Sequence, residues 1–136
     1  MKNNLINQMA QELGCGNNCY YNPKTEEFIA LPDFDRIDFE PEFEEAFKED
    51  INRVKKNKSD YIIIEVPDSR TSFKIMEDFT AQIPDDFFRQ QAEMTLSRSK
   101  PFRNFKYLID QSEYRQDWFD FKQKELEKIV TSRLTT

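Results

Sequence analysis

Asp60-Tyr61-Ile62-Ile63-Ile64-Glu65-Val66-Pro67 is the clearest strand in the chain, and its reading decides the fold class. The three isoleucines do not alternate with polar residues. The run therefore reads as a strand buried on both faces, in a central or helix-covered position. Pro67 has no amide proton to give to a ladder and ends it. Upstream, Cys19-Tyr20-Tyr21 and Glu27-Phe28-Ile29-Ala30-Leu31 bracket Asn22-Pro23-Lys24-Thr25-Glu26. Two β-prone runs around an Asn-Pro turn are a hairpin signal. Between the hairpin and the isoleucine run, a helix is predicted from Pro41, with Phe43, Phe47, Ile51 and Val54 on one face. Glu42, Glu44 and Glu45 in its first turn, and Arg53, Lys55 and Lys56 in its last, match the helix dipole at both ends. Strand, helix and strand then form a β-α-β unit, with a right-handed crossover if the two strands are parallel.

Working outward, Leu5, Met9 and Leu13 recur at i+4 and predict a first helix over Asn3 to Leu13, capped by Asn3 or Asn4 and ended by Gly14. Everything after Pro67 reads as helix. Asp68 or Ser69 caps a segment with Phe73, Met76, Phe79 and Ile83 inward. Pro84 restarts the next, with Phe88, Ala92 and Leu96 inward. A third begins near Pro101 with Phe102, Phe105 and Ile109, and the last runs from about Glu113 with Trp118, Phe119, Leu126, Ile129 and Val130. The prediction is an α+β fold. A small three-stranded sheet, the hairpin plus one buried strand, packs with about six helices, and the C-terminal half is all helical. A single domain is expected over 1–136, with helix, hairpin, helix and strand in 1–67 and the helical half in 68–136. Phe102, Phe105 and Trp118 are expected to meet inside around the isoleucine strand, with their cationic neighbours at the border.

A chain of 136 residues buries roughly two-thirds of its unfolded surface, enough for a core without disulfides or metals. Its 13 phenylalanines supply much of that core at about 1.5–3 kcal/mol each. No apolar run follows Met1-Lys2-Asn3-Asn4-Leu5, and the longest one, Tyr61 to Ile64, is too short to span a bilayer, so a cytoplasmic location is expected. The net charge of −6 is local: Asp33 to Asp50 holds nine acids against two bases, which leaves +1 for the rest. A polyanion is repelled by the whole chain's field, yet a basic patch outside that block stays open.

The chain has no histidine, which removes the commonest general base and most catalytic zinc sites. Cys15 and Cys19 cannot complete a zinc site alone and read as reduced thiols beside a glycine turn. Asp33-Phe34-Asp35-Arg36-Ile37-Asp38 resembles a calcium loop only faintly, with Ile37 in place of a ligand and Asp38 where glycine makes the turn. No nucleotide fingerprint is present. Catalytic, cofactor and metal residues are therefore assigned to none. Two stretches remain as a candidate ligand or partner surface. At Glu65-Val66-Pro67-Asp68-Ser69-Arg70 a strand exits into a helix N-terminus, where free amides favour an anion. The plainer reading makes Asp68 or Ser69 a cap and pairs Arg70 with a carboxylate such as Glu65. In Phe102-Arg103-Phe105-Lys106-Tyr107, Arg103 and Lys106 share a face beside aromatics, as in single-strand binders. Its plainer reading is core and charged rim. With Trp118, the candidate residues are Glu65, Asp68, Arg70, Arg103, Lys106 and Trp118.

Tyr61-Ile62-Ile63-Ile64-Glu65-Val66-Pro67-Asp68-Ser69-Arg70, Met76-Glu77-Asp78-Phe79, Pro101-Phe102-Arg103-Asn104-Phe105-Lys106 and Trp118-Phe119 with Phe121 follow one another in an order that resembles the bacterial uncharacterised protein family 0158. The hairpin from Tyr20 to Glu27 also looks like that family's tyrosine-led strand and turn, with Glu27 where glycine is more usual. The resemblance implies no activity. The residues themselves favour a non-enzymatic cytoplasmic interaction or regulatory module, with an unknown protein partner or a second copy of the chain. Binding of nucleic acid or another anion through Arg70, Arg103 and Lys106 stands second, and a carboxylate-based enzyme third. No membrane association is expected.

Overall fold

In the computed structural model, which describes residues 2–34 and 41–135, Asn22 shapes the hairpin. Its side-chain oxygen accepts from the Lys24 amide at 2.9 Å, and its carbonyl accepts from the Glu26 amide at 2.8 Å. This tight turn places Glu26 at φ 59°, a left-handed conformation that side chains with a Cβ adopt at some cost. It joins β1 (Asn17–Asn22) to β2 (Glu27–Pro32). The isoleucine strand, β3 (Ile62–Ile64), completes a sheet of order β2-β1-β3, antiparallel throughout. Cys19 lies opposite Ala30 on one side and Ile64 on the other.

The isoleucine strand is thus an edge and not the centre. Only Ile64 is fully buried, while Ile62 and Ile63 are half-buried. Its free side is managed locally: the Arg133 Nε donates to the Ile63 carbonyl at 2.9 Å, filling an acceptor that an edge otherwise offers to another chain. The connection from β2 to β3 does link two strands of the same direction. They are not neighbours, because β1 runs between them.

The sheet belongs to the first of two compact units, formed by the residues up to Val66 and those from Leu126 on; Pro67–Glu125 forms the second. In the first unit, α1 (Lys2–Gly14) begins earlier than predicted, so Asn3 and Asn4 lie within its first turn rather than at its cap. The left-handed residue after it is Gly16, at φ 90°, and not Gly14. Met9, Ala10 and Leu13 of α1 bury themselves with Cys19, Ile64, Leu126 and Val130, and Leu5, Phe28 and Ile129 pack around them. The helix predicted from Pro41 is two: α2 (Pro41–Glu45) and α3 (Lys48–Lys56). No glycine or proline accounts for the break. It coincides with a ring cluster in which Phe34 contacts both Phe43 and Phe47 at centroid distances of 6.3 and 6.0 Å. A short 3-10 turn, Lys58–Asp60, leads into β3.

The second unit is helical: α4 (Ser69–Thr80), α5 (Asp86–Ser97), α6 (Pro101–Asp110) and the first half of α7 (Arg115–Thr135). Asp68 and Asp85 cap α4 and α5 by accepting from the Thr71 and Phe87 amides at 2.8 and 3.1 Å. Its core is a chain of rings. Trp118 contacts Phe79 at 5.3 Å and Phe105 at 5.2 Å, and Phe79 contacts Phe121 at 5.5 Å. Phe105 and Trp118 are therefore interior, as expected, but two ring positions differ. Phe102 is 42% exposed, on the shoulder of α6, and Phe119 is 41% exposed beneath the Arg115 guanidinium. These rings belong to the second unit, and Ile64 of the isoleucine strand lies in the first unit's core. The fold is α+β, with seven α-helices among the described residues where about six were expected.

Candidate interaction surface

At the strand exit, local capping uses the groups that an anion would need. The Val66 amide donates to Asn18 Oδ1 at 2.8 Å, and the Asp68 carboxylate takes the Thr71 amide. A carboxylate already stands where the α4 N-terminus would attract a ligand's negative charge. Glu65 closes the first unit's strand and is exposed; Asp68 and Arg70 are exposed in the second unit. Trp118 is only 8% exposed. Its indole fills the ring core, so it offers no surface.

The aromatic-basic stretch is different. Arg98 caps the C-terminal end of α5, and Lys100 caps the start of α6 in a left-handed conformation at φ 51°. The Asn104 side-chain amide donates to the Ser99 carbonyl at 3.1 Å and holds that bend. Pro101 at the first helical position then fixes the entry to α6. Outward from the buried Phe105 and Ile109, the helix exposes Phe102, Arg103, Lys106 and Tyr107. The Phe102 ring stands edge-on to Phe73 at 6.3 Å, which fixes one side of it and leaves the other to solvent. Tyr107 is 66% exposed.

Charge pairing divides the cations of this unit. Lys106 reaches Asp110 at 3.2 Å, and Lys74 reaches Asp78 at 2.8 Å, where the hydrogen bond and the carboxylate's charge raise the lysine's pKa. Arg89 is held by Asp86 and donates to the Ile83 carbonyl at 2.9 Å. Arg115 lies 3.7 Å from Asp110. Arg98, Lys100 and Arg103 have no ion pair among the described residues, and all three are exposed. The predicted pair Arg103 and Lys106 thus splits: Lys106 is locally matched, and Arg103 joins Arg98 and Lys100 in an unmatched corner. Sequence reasoning passed over Arg98 and Lys100 because they precede the helix, although Arg98-Ser99-Lys100-Pro101-Phe102-Arg103 has three cations and no acid.

Two clefts open on the second unit. The larger, about 530 Å³, lies between α4 and α5 over Phe73, Thr80, Ala81 and Leu96, with Glu77, Arg89, Glu93 and Ser97 at its walls. Its arginine is engaged by Asp86 and lies 3.8 Å from Glu93, and the Thr80 hydroxyl donates to the Met76 carbonyl at 2.8 Å. The smaller, about 280 Å³, is lined by Phe79, Ile83, Tyr114, Asp117, Asp120, Lys124 and neighbours. Desolvation, then the Glu113 and Asp85 charges, raises the Tyr114 pKa. Among the described residues no group of three or more cysteine, aspartate or glutamate side chains is placed to hold a metal ion. The faint calcium loop falls mainly on residues 35–40, outside the described residues. Cys15 is exposed and Cys19 buried, both as free thiols. No helix among the described residues is long and apolar enough to cross a membrane.

No family model, curated protein or solved structure matches the chain.

Proposed function

We propose that this protein is a non-enzymatic cytoplasmic interaction module that engages an acidic protein surface through the corner between α5 and α6. The observation that supports it is the set Arg98, Lys100 and Arg103, exposed and unmatched beside the exposed rings of Phe102 and Tyr107. Elsewhere in the unit Lys74, Arg89, Lys106 and Arg115 are matched by neighbours three to five residues away, and Arg70, Lys122 and Lys124, which also have no ion pair among the described residues, do not cluster in sequence around an exposed ring. Three unmatched cations around an anchored phenylalanine have the composition of a contact surface, an aromatic centre with a charged rim. A protein is favoured over a nucleic acid because the chain carries −6 overall, a field that opposes a long polyanion. Membership of family 0158 is part of the proposal and rests on the ordered motifs quoted above.

The test is affinity capture with the intact chain and with an Arg98→Glu, Lys100→Glu, Arg103→Glu variant whose circular dichroism matches the parent. Loss of captured acidic protein in the variant is the expected result. Equal capture by both chains, or a salt-sensitive gel shift with single-stranded RNA that the variant abolishes, overturns it.

A further inference from the structure

Taking the α5–α6 corner as a docking surface, we infer that its occupant is a linear segment of the partner protein that continues into the cleft between α4 and α5. The segment places acidic residues on the corner, a large apolar side chain in the cleft and a basic residue beyond it. The inference rests on that reading of the corner and adds the chemistry of what the corner holds. Corner and cleft are one continuous surface within the second unit. Phe73 lines the cleft, and its ring stands 6.3 Å from that of Phe102 in the corner. Ser97 lines the opposite wall, and Arg98 is the next residue. Both helices therefore run along the cleft, with Phe73 and Ser97 at its corner end.

The lining changes character away from the corner. Phe73 and Leu96 give an apolar floor, and the cleft's volume of about 530 Å³ lies within the range of ligand pockets, roughly 300–1,000 Å³. About one turn further along, Glu77 on α4 and Glu93 on α5 line it. Glu77 has no ion pair among the described residues, while Glu93, at 3.8 Å, shares Arg89 with Asp86. One guanidinium among three carboxylates leaves this part of the cleft negative. The surface thus runs positive, apolar, negative, and its complement runs acidic, apolar, basic. A nucleic-acid strand supplies only the first of these, and its next phosphates would meet the glutamates. Spacing sets the length of the segment. Glu93 and Arg98 are five residues apart on α5, about 7.5 Å along the axis, which two to three residues of extended chain span at roughly 3.3 Å each.

Fluorescence anisotropy with labelled peptides tests this on the intact chain. The probe carries a run of acids, one leucine and, a short step on, one lysine. A second peptide has serine for the leucine, and a third has glutamate for the lysine. The probe is expected to bind, less tightly as salt rises, and the serine peptide to bind at least about tenfold more weakly. Ser97→Trp fills the corner end of the cleft and keeps every charge. It should weaken the probe at least about tenfold and leave the serine peptide's binding unchanged. Glu77→Lys should reverse the preference between the lysine and glutamate peptides. The Arg98→Glu, Lys100→Glu, Arg103→Glu variant should lose all of them. A probe that fails to bind the parent at about millimolar concentration, or binds no better than the serine peptide, overturns the inference. Equal binding of the probe to the parent, Ser97→Trp and Glu77→Lys overturns it too. If the corner variant still loses captured acidic protein in those cases, the corner remains a docking surface and the cleft has no part in it. If the corner variant binds the probe and captures acidic protein as the parent does, both readings fail together.

Discussion

Cys15 and Cys19 lie four residues apart and meet opposite surroundings. Cys15 is exposed in the turn after α1. The Cys19 thiol is fully buried, donates to the Met9 carbonyl at 3.6 Å, and has its pKa pushed up from 9.0 to about 12 by desolvation and then by the charge of Glu12. A thiol-specific reagent should thus modify Cys15 at once and Cys19 only on unfolding, since the thiolate is the nucleophile. The same burial links stability to alkali. Between pH 9 and about 12 the unfolded thiol has lost its proton and the folded thiol keeps it, so stability falls as pH rises. The loss approaches about 1.4 kcal/mol per pH unit and is absent below the unfolded pKa. Urea titrations at intervals above pH 8 should show a steeper decline for the parent than for Cys19→Ala. Equal slopes would mean that Cys19 ionises in the folded state.

At the scale of elements, α6 separates a ring that holds the fold from one that only borders it. Phe105 is fully buried against Trp118, whereas Phe102 keeps 42% of its surface in solvent. Phe105→Ala should cost about 3–5 kcal/mol, and Phe102→Ala about 1 kcal/mol or less, both read from urea midpoints. Comparable losses would place both rings in the core. The i+4 recurrences that located the helices could not make this distinction, because they mark a stripe and not its edges. Trp118, Phe119 and Phe121 are close neighbours around α7, and they cannot all point inward. Which one is left out depends on helices distant in sequence, and Phe119 ends up under Arg115. The isoleucine run shows the same limit. Three isoleucines look alike in a central strand and in a short edge strand, and the choice was made by pairing with β1 some forty residues earlier. Of the candidate surface, Arg103 was legible from its spacing. The burial of Trp118 was legible too, from its place in the α7 stripe, whereas the i+4 match of Lys106 with Asp110 was present in the sequence and not read.

Across the whole molecule, the sequence boundary at Pro67 is close to the one that separates the two compact units, yet the chain does not simply divide there. Residues from Leu126 on return to the first unit, where Leu126 and Val130 share a core with Met9, Leu13 and Ile64. Asn7 donates to the Glu127 carboxylate at 3.0 Å, and Arg133 holds the edge strand. A periodic helix near the C-terminus gives no sign of which core each of its turns serves, so this return was not legible. It does make a prediction about cooperativity. Val130 is fully buried, and Val130→Ala removes two methyl groups from the first unit alone, at a cost of about 1–3 kcal/mol. If the two units open separately, hydrogen exchange should speed up in β1, β2 and β3 and stay unchanged in α5 and α6. Equal loss of protection in α5 and α6 would mean that the ring core and the sheet core melt as one.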